Sequence, residues 1–176
     1  LDRGFDHFFG HLNGATDYFN GDPSFRLDRK PYQVPDNFYA TSAYADYSIQ
    51  FIDESVSQNP KKPFFLYLAH TAPHAPLMAL PEDEKLFTDT YKKGWDYIRK
   101  QRIELQQKLG ISDPSWPIPE RPKEIPAWNS LTPKEQQNEA KRMAIYAAMV
   151  HRMDISIGRV IDHLEKLGIR ENTLIM

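Results

Sequence analysis

Hydrophobic positions recur along the chain in several patterns, and each predicts its own kind of element. Between residues 41 and 57, Ala45, Ile49, Ile52 and Val56 fall at spacings of four, three and four, which lines one face of a helix. Asn59-Pro60 stops it. From Phe64 to Ala69 the apolar residues run without a break. A continuous run of strand length predicts a strand buried on both faces. The run gives way to a polar turn that carries His74 between Pro73 and Pro76. Ligands of open α/β sheets bind outside the carboxyl ends of the strands, so position alone makes His74 a candidate site residue.

The second half of the chain is helical by the same argument. Pro81-Glu82-Asp83-Glu84 opens a short helix, with proline at a first turn and acids at its positive end. A helix is expected over Trp95 to Leu109, ended by Gly110. Its apolar stripe (Trp95, Ile98, Ile103, Leu105) is thin, so it should lie on the surface. Between Pro114 and Pro133 the prolines are too dense for a helix, and an extended excursion anchored by Trp116 and Trp128 is expected. Thr132 with Glu135 forms a capping box, with Pro133 at the first helical position. Tyr146, Val150, Met153, Ile157, Val160, Leu164 and Leu167 then predict a long amphipathic helix that Gly168 ends. A further strand should start near Thr173. Strand, long connection, helix and strand predict a parallel α/β layer closed by a right-handed crossover.

Residues 1 to 40 keep no period. Nine aromatic residues between Phe5 and Tyr39 sit among Gly4, Gly10, Gly14 and Gly21, which predicts loops held by ring burial. Leu174-Ile175-Met176 reads as the opening of an apolar strand, and Leu1 is no initiator. The expectation is therefore an internal segment of a longer protein.

Composition changes this picture little. The 176 residues are 40 % hydrophobic and 26 % charged, with a formal net charge of −2. No Lys/Arg cluster dominates any stretch, so nucleic acid is not an expected partner. The apolar runs fall far below the roughly 20 residues of a membrane helix. No cysteine is present, which excludes disulfides, thiolate metal sites and a cysteine nucleophile within these residues.

Six histidines remain as candidate chemistry. His151 and His163 lie off the apolar stripe of the long helix and read as solvated. His7 and His11 have the spacing of helical metal ligands, but Phe8-Phe9-Gly10 disfavours a helix there, and aromatic-loop packing is the better reading. His70 reads as a packed strand-end residue. His74, stiffened by its flanking prolines, presents an imidazole that can donate to an anionic oxygen or protonate a leaving group. Asp154, beside Met153 and Ile157, reads as a partly buried structural acid wanting a cationic partner.

Several motifs in order give these residues a family likeness. They are Asp2-Arg3-Gly4-Phe5-Asp6-His7-Phe8-Phe9-Gly10, then Gly14-Ala15-Thr16-Asp17-Tyr18-Phe19, then Lys62 to Ala69 with Ala72-Pro73-His74-Ala75-Pro76-Leu77. Tyr146 to Val150, Met153-Asp154-x-x-Ile157-Gly158-Arg159-Val160 and Glu171 to Ile175 complete the set. Together they resemble the formylglycine-dependent sulfatases, and Gly94-Trp95-Asp96 with the proline-rich excursion resembles the bacterial arylsulfatase branch in particular. The resemblance implies a partial α/β/α sandwich of the alkaline-phosphatase type, truncated at both ends, with residues 1–176 forming an internal segment of one catalytic domain. It implies hydrolysis of sulfate esters of small molecules or glycans, in a periplasmic or extracellular parent enzyme. In that family the histidine of the Pro-His motif contacts the sulfate and can assist the leaving group, a role that carries over to His74 alone. The nucleophile segment Cys/Ser-x-Pro-x-Arg, the paired acids that bind calcium and the Asp-Asn-Gly motif are all absent here. Calcium and formylglycine are thus expected in the parent and none is held by this segment, which should be inactive by itself. A phosphodiesterase or phosphonate hydrolase of the same superfamily, or a non-catalytic glycan-binding relative, are the alternatives.

Overall fold

The structure is a computed structural model, and it describes Leu1 and residues 3–176. Asp2, the first residue of the N-terminal motif, lies outside the described residues. The chain divides into two compact units, Leu1–Ala79 with Met149–Met176, and Leu80–Ala148.

The first unit opens with a small antiparallel sheet, β1 (Phe9–Gly10), β2 (Arg26–Leu27) and β3 (Lys30–Pro31), in spatial order β1-β2-β3. Phe9 opposes Leu27, and Arg26 opposes Pro31. The expectation of loops alone missed these short strands. Asp28, at φ 53°, makes the β2–β3 turn, and its carboxylate accepts the Phe8 N–H at 3.0 Å. Ring burial holds the region as expected: Phe9 stacks on Tyr47 at 3.8 Å, and Phe25 and Tyr18 are fully buried.

Helix α1 (Ala40–Gln58) follows, one residue longer at each end than its apolar spacing predicts. Ala45 and Ile52 from α1 meet Val160 and Leu164 from the last helix, and Phe64, Leu66 and Leu68 pack onto the same cluster. Asp53 accepts from the His163 ring at 2.7 Å, and Arg159 donates to Asp46. His163, with 19 % of its side chain exposed, is thus a cross-helix partner rather than a solvated residue.

The expected strand 64–69 is extended but pairs with no other strand among the described residues. Nor is it buried on both faces. Phe64, Leu66 and Leu68 pack on the α1 cluster, while Phe65 and Tyr67 stay about three-quarters exposed, at 74 % and 73 %. Sequence reports the apolar character of both faces, but burial needs a layer on each, and only one is present here. The tail behaves alike: residues 173–176 form no strand, and Leu174 is exposed. The parallel layer with its crossover therefore does not form among the described residues.

The second unit holds α2 (Pro81–Phe87), with Pro81 at its start, and α3 (Gly94–Lys108). Gly94 is the one buried residue of α3, in keeping with its thin stripe. Gly110, at φ 70°, ends the helix, and the Ile111 N–H returns to the Gln106 carbonyl at 2.9 Å. A single 3₁₀ turn, Trp128–Ser130, closes the proline-rich stretch. Trp128 anchors this stretch, being 6 % exposed, whereas Trp116 does not, at 62 %.

Helix α4 (Pro133–Lys166) runs through both units. Its capping box forms as expected: Thr132 N–H donates to Glu135 at 2.7 Å, and Glu135 N–H to the Thr132 hydroxyl at 3.3 Å. Its buried face keeps Val160 and Leu164 of the expected stripe, with Leu167 packed beside them, and departs from the stripe before them. Ala140, Ala144, Ala148, Met149, Ser156, Val160 and Leu164 are buried, whereas Tyr146 and Ile157 are exposed. Small residues line much of this buried face, while Tyr146 and Ile157 are turned outward. Asp154 is exposed and not a partly buried acid.

Candidate active site

The turn after the extended segment is built from the first unit alone. Both Ala72-Pro73 and Ala75-Pro76 are cis peptides, and the His74 N–H donates to the Thr71 carbonyl at 2.9 Å. Two tyrosines reach across the sequence to hold it. Tyr18 donates its phenol to the His74 carbonyl at 2.9 Å, and Tyr39 donates to the Met78 carbonyl at 2.9 Å. Tyr18 is itself set by Asp17, whose carboxylate takes the N–H groups of Phe19 and Asn20 at 2.8 and 2.7 Å. Burial pulls the Asp17 carboxyl up, but the Asn20 and Phe19 donors outweigh it, and the group titrates below the usual range. Burial, with Tyr39 and Tyr44 nearby, raises the Tyr18 phenol well above its ordinary value, so it remains a donor.

His74 is exposed, and its Nδ1 lies 2.6 Å from the Ala75 carbonyl oxygen. A carbonyl can only accept, so Nδ1 carries the proton and Nε2 is left open. In the neutral ring Nε2 is a base; in the imidazolium it is a donor. The ring thus faces outward with one atom available for proton transfer or for binding an anionic oxygen.

Behind this turn lies a polar cluster. His11 Nε2 is 2.7 Å from the Thr71 hydroxyl, which also meets the Tyr44 phenol at 3.1 Å. Burial raises the Tyr44 phenol, partly offset by its bond to Thr71. His11 Nδ1 and both ring nitrogens of His70 are buried without a partner among the described residues. Burial lowers the His70 pKa and so keeps that ring neutral. His70 is packed edge-on to Tyr44, 6.0 Å between centroids, the structural residue that sequence suggested. His7 lies apart from His11. It stacks on Phe51 at 4.8 Å, with Asp28 and Glu54 each 3.5 Å from a ring nitrogen.

The sequence singled out His74 but missed its brace. Tyr18 and Thr71 lie 56 and 60 residues from their partners His74 and His11, and no local pattern announces such pairs. The motif residues Thr16-Asp17-Tyr18 were the available signal. Among the described residues, no group of three or more His, Cys, Asp or Glu side chains is placed to hold a metal ion. No described helix is long and apolar enough to cross a membrane.

With the geometry in view, comparison with known proteins gives it a setting. Ps i-CgsB, solved in complex with k-i-k-neocarrahexaose, matches 93 % of the chain and 29 % of its own at a TM-score of 0.55 and 24 % identity. The yidJ protein of Bacteroides fragilis matches 97 % of the chain and 30 % of its own at a TM-score of 0.61 and 20 % identity. Their likeness establishes an α/β fold of the alkaline-phosphatase type. The family model described as Sulfatase matches residues 2–176, and the chain belongs to that family. It is 36 % identical to an arylsulfatase of Klebsiella aerogenes over 188 residues, 99 % of the chain and 39 % of that protein. An uncharacterized sulfatase of Schizosaccharomyces pombe is 33 % identical, again over 99 % of the chain and 34 % of its own length. The chain therefore spans little more than a third of these relatives.

Proposed function

We propose that the chain is a segment of a sulfuric ester hydrolase in which His74 meets the ester. The observation that carries this reading is the outward imidazole whose Nδ1 is bound to the Ala75 carbonyl and whose Nε2 is open. In the reaction the bond between sulfur and the ester oxygen breaks, and the leaving oxygen takes up a proton. The Nε2–H of the His74 imidazolium supplies that proton, and the ring is left neutral with its Nδ1–H still on Ala75. Tyr18 acts as a positioning residue, fixing the backbone from which the ring projects.

In this reading a formylglycine would supply the nucleophile and calcium would supply positive charge for the sulfate. The residues described here fit neither group: no Cys/Ser-x-Pro-x-Arg segment is present, and no metal-binding cluster forms among the described residues. Both are assigned to the remainder of a longer protein, and no step of the argument passes through them. The family and the arylsulfatase relative support a sulfate ester as substrate, and a relative named N-acetylglucosamine-6-O-sulfatase, 24 % identical over 99 % of the chain, supports a sulfated sugar among the candidates.

The test is turnover of p-nitrophenyl sulfate by the full-length protein. His74→Ala should lower kcat by about 10²–10⁴-fold and remove one limb of the pH profile. Residues 1–176 purified alone should release no sulfate. Hydrolysis of bis-p-nitrophenyl phosphate in preference to the sulfate ester would point instead to a phosphodiesterase.

A further inference from the structure

The second unit carries a groove that the chemistry of His74 does not use. After Gly110 the chain doubles back along α3, and Arg99 donates to the Pro119 carbonyl, tying the returning chain to the helix. Between the two lies an open groove of ≈ 460 Å³. Its helical wall presents Arg99, Arg102, Ile103, Gln106 and Gln107, residues that recur every three or four positions on one face. They cover about 12 Å of helix. The opposite wall brings Asp113 and Trp116.

The chemistry of this lining is specific. Trp116 is 62 % exposed although three prolines, Pro114, Pro117 and Pro119, stiffen the backbone around it. A large ring held on a stiff loop and left bare is a stacking face without an occupant. Arg102 makes no hydrogen bond or ion pair among the described residues, and Arg99 spends one donor on Pro119 while keeping others. Asp113 accepts the hydroxyl and N–H of Ser115 at 2.7 and 2.8 Å through one oxygen, leaving the other carboxylate oxygen for a donor. The side-chain amides of Gln106 and Gln107 are likewise unengaged among the described residues.

We propose that this groove binds a sulfated saccharide, with a sugar ring on Trp116, the sulfate on Arg99 and Arg102, and hydroxyls on Asp113 and the glutamines. Guanidinium forks match a tetrahedral oxyanion, and the pair needs no further partner within the unit. The carboxylate argues against a phosphodiester backbone, whose repeated negative charge it would oppose, whereas sugar hydroxyls donate to it. Two guanidiniums against one carboxylate suit a lightly sulfated chain. The site rests on the reading of the protein as a sulfate-ester hydrolase. It adds to that reading a place for polymeric substrate built from residues other than those proposed to cleave it.

The experiment uses the full-length protein and hexasaccharides of κ-carrageenan and of heparin, with their desulfated forms, inorganic sulfate and a single-stranded RNA hexamer as comparators. At least one sulfated hexasaccharide should quench tryptophan emission, and Trp116→Ala should abolish the quench. Arg102→Ala should weaken binding about tenfold, as expected for one lost charge-assisted contact. Neither variant should alter turnover of p-nitrophenyl sulfate. Equal affinity of wild type and both variants for the hexasaccharides, equal binding of the desulfated forms, tighter binding of the RNA, or no binding by either hexasaccharide overturns the proposal. Absent turnover of p-nitrophenyl sulfate by wild type would instead remove the sulfatase reading and leave the binding result standing.

Discussion

The turn that presents His74 and the proline-rich stretch after α3 are both irregular backbone, yet they are held in opposite ways. The turn is tied at separate points by separate residues: Tyr18 on the His74 carbonyl, Tyr39 on the Met78 carbonyl, and His11 with Tyr44 on the Thr71 hydroxyl. The stretch hangs largely on one helix start. Asp96 takes both Arg121 at 2.8 Å and the Trp128 N–H at 3.0 Å, while Gly94 lies directly under the Trp128 ring. Trp95 closes on Trp128 at 4.9 Å, almost perpendicular. Distributed ties let a loop survive the loss of any one of them. Concentrated ties make it depend on one short stretch of helix.

The largest expected effect tests the concentrated side. At φ 81°, a Cβ at Gly94 would stand 2.0 Å from Trp128 Cδ2, against a buried ring that cannot swing clear. Gly94→Ala should destabilise the second unit by about 3 kcal/mol. Urea unfolding followed by tryptophan emission reads this directly, and an unchanged midpoint would mean that the indole has room to move after all.

Tyr18→Phe probes the distributed side. It removes one hydrogen bond to a carbonyl near solvent, and should cost about 1 kcal/mol while the Tyr39 and Thr71 ties keep the turn. Its kcat for an aryl sulfate should fall by less than that of His74→Ala, with KM little changed. A loss as large as that of Gly94→Ala would erase the contrast between the two regions.

The smallest effect concerns acid. The Trp128 N–H and Arg121 lower the Asp96 pKa from its ordinary 3.8, so its contribution is present above that value and disappears as pH falls through the lowered one. Tryptophan emission should therefore change below about pH 3.8 in wild type. Asp96→Asn, which keeps one acceptor, should lack that step, and a step that persists in the variant would assign the acid sensitivity elsewhere.

Much of this could be read in the sequence because it is local. The capping box of Thr132 and Glu135, the stop at Gly110 and the face of α1 all depend on residues within a turn or two. The position of His74 beyond an apolar run was equally visible. Other features depend on what lies opposite. Phe65 and Tyr67 are as hydrophobic as Phe64 and Leu66, and only the presence of α1 on one side separates them. The face of α4 was misjudged because size was taken for burial: Ala144, Ala148 and Ser156 go inside where Tyr146 and Ile157 do not. Trp116 and Trp128 look alike in a proline-rich sequence, and only the glycine beneath Trp128 decides which of them is an anchor.

The contact between His74 Nδ1 and the Ala75 carbonyl also has a stereochemical consequence. A ring tethered through one nitrogen cannot flip to offer the other, so the Nε2–H of the imidazolium points along one line, in the plane of the ring. In the role proposed for His74, the leaving oxygen of an ester would have to come to that line to take up the proton. Discrimination between substrates can then arise from the angle at which the leaving group arrives, before any wall of the pocket is touched.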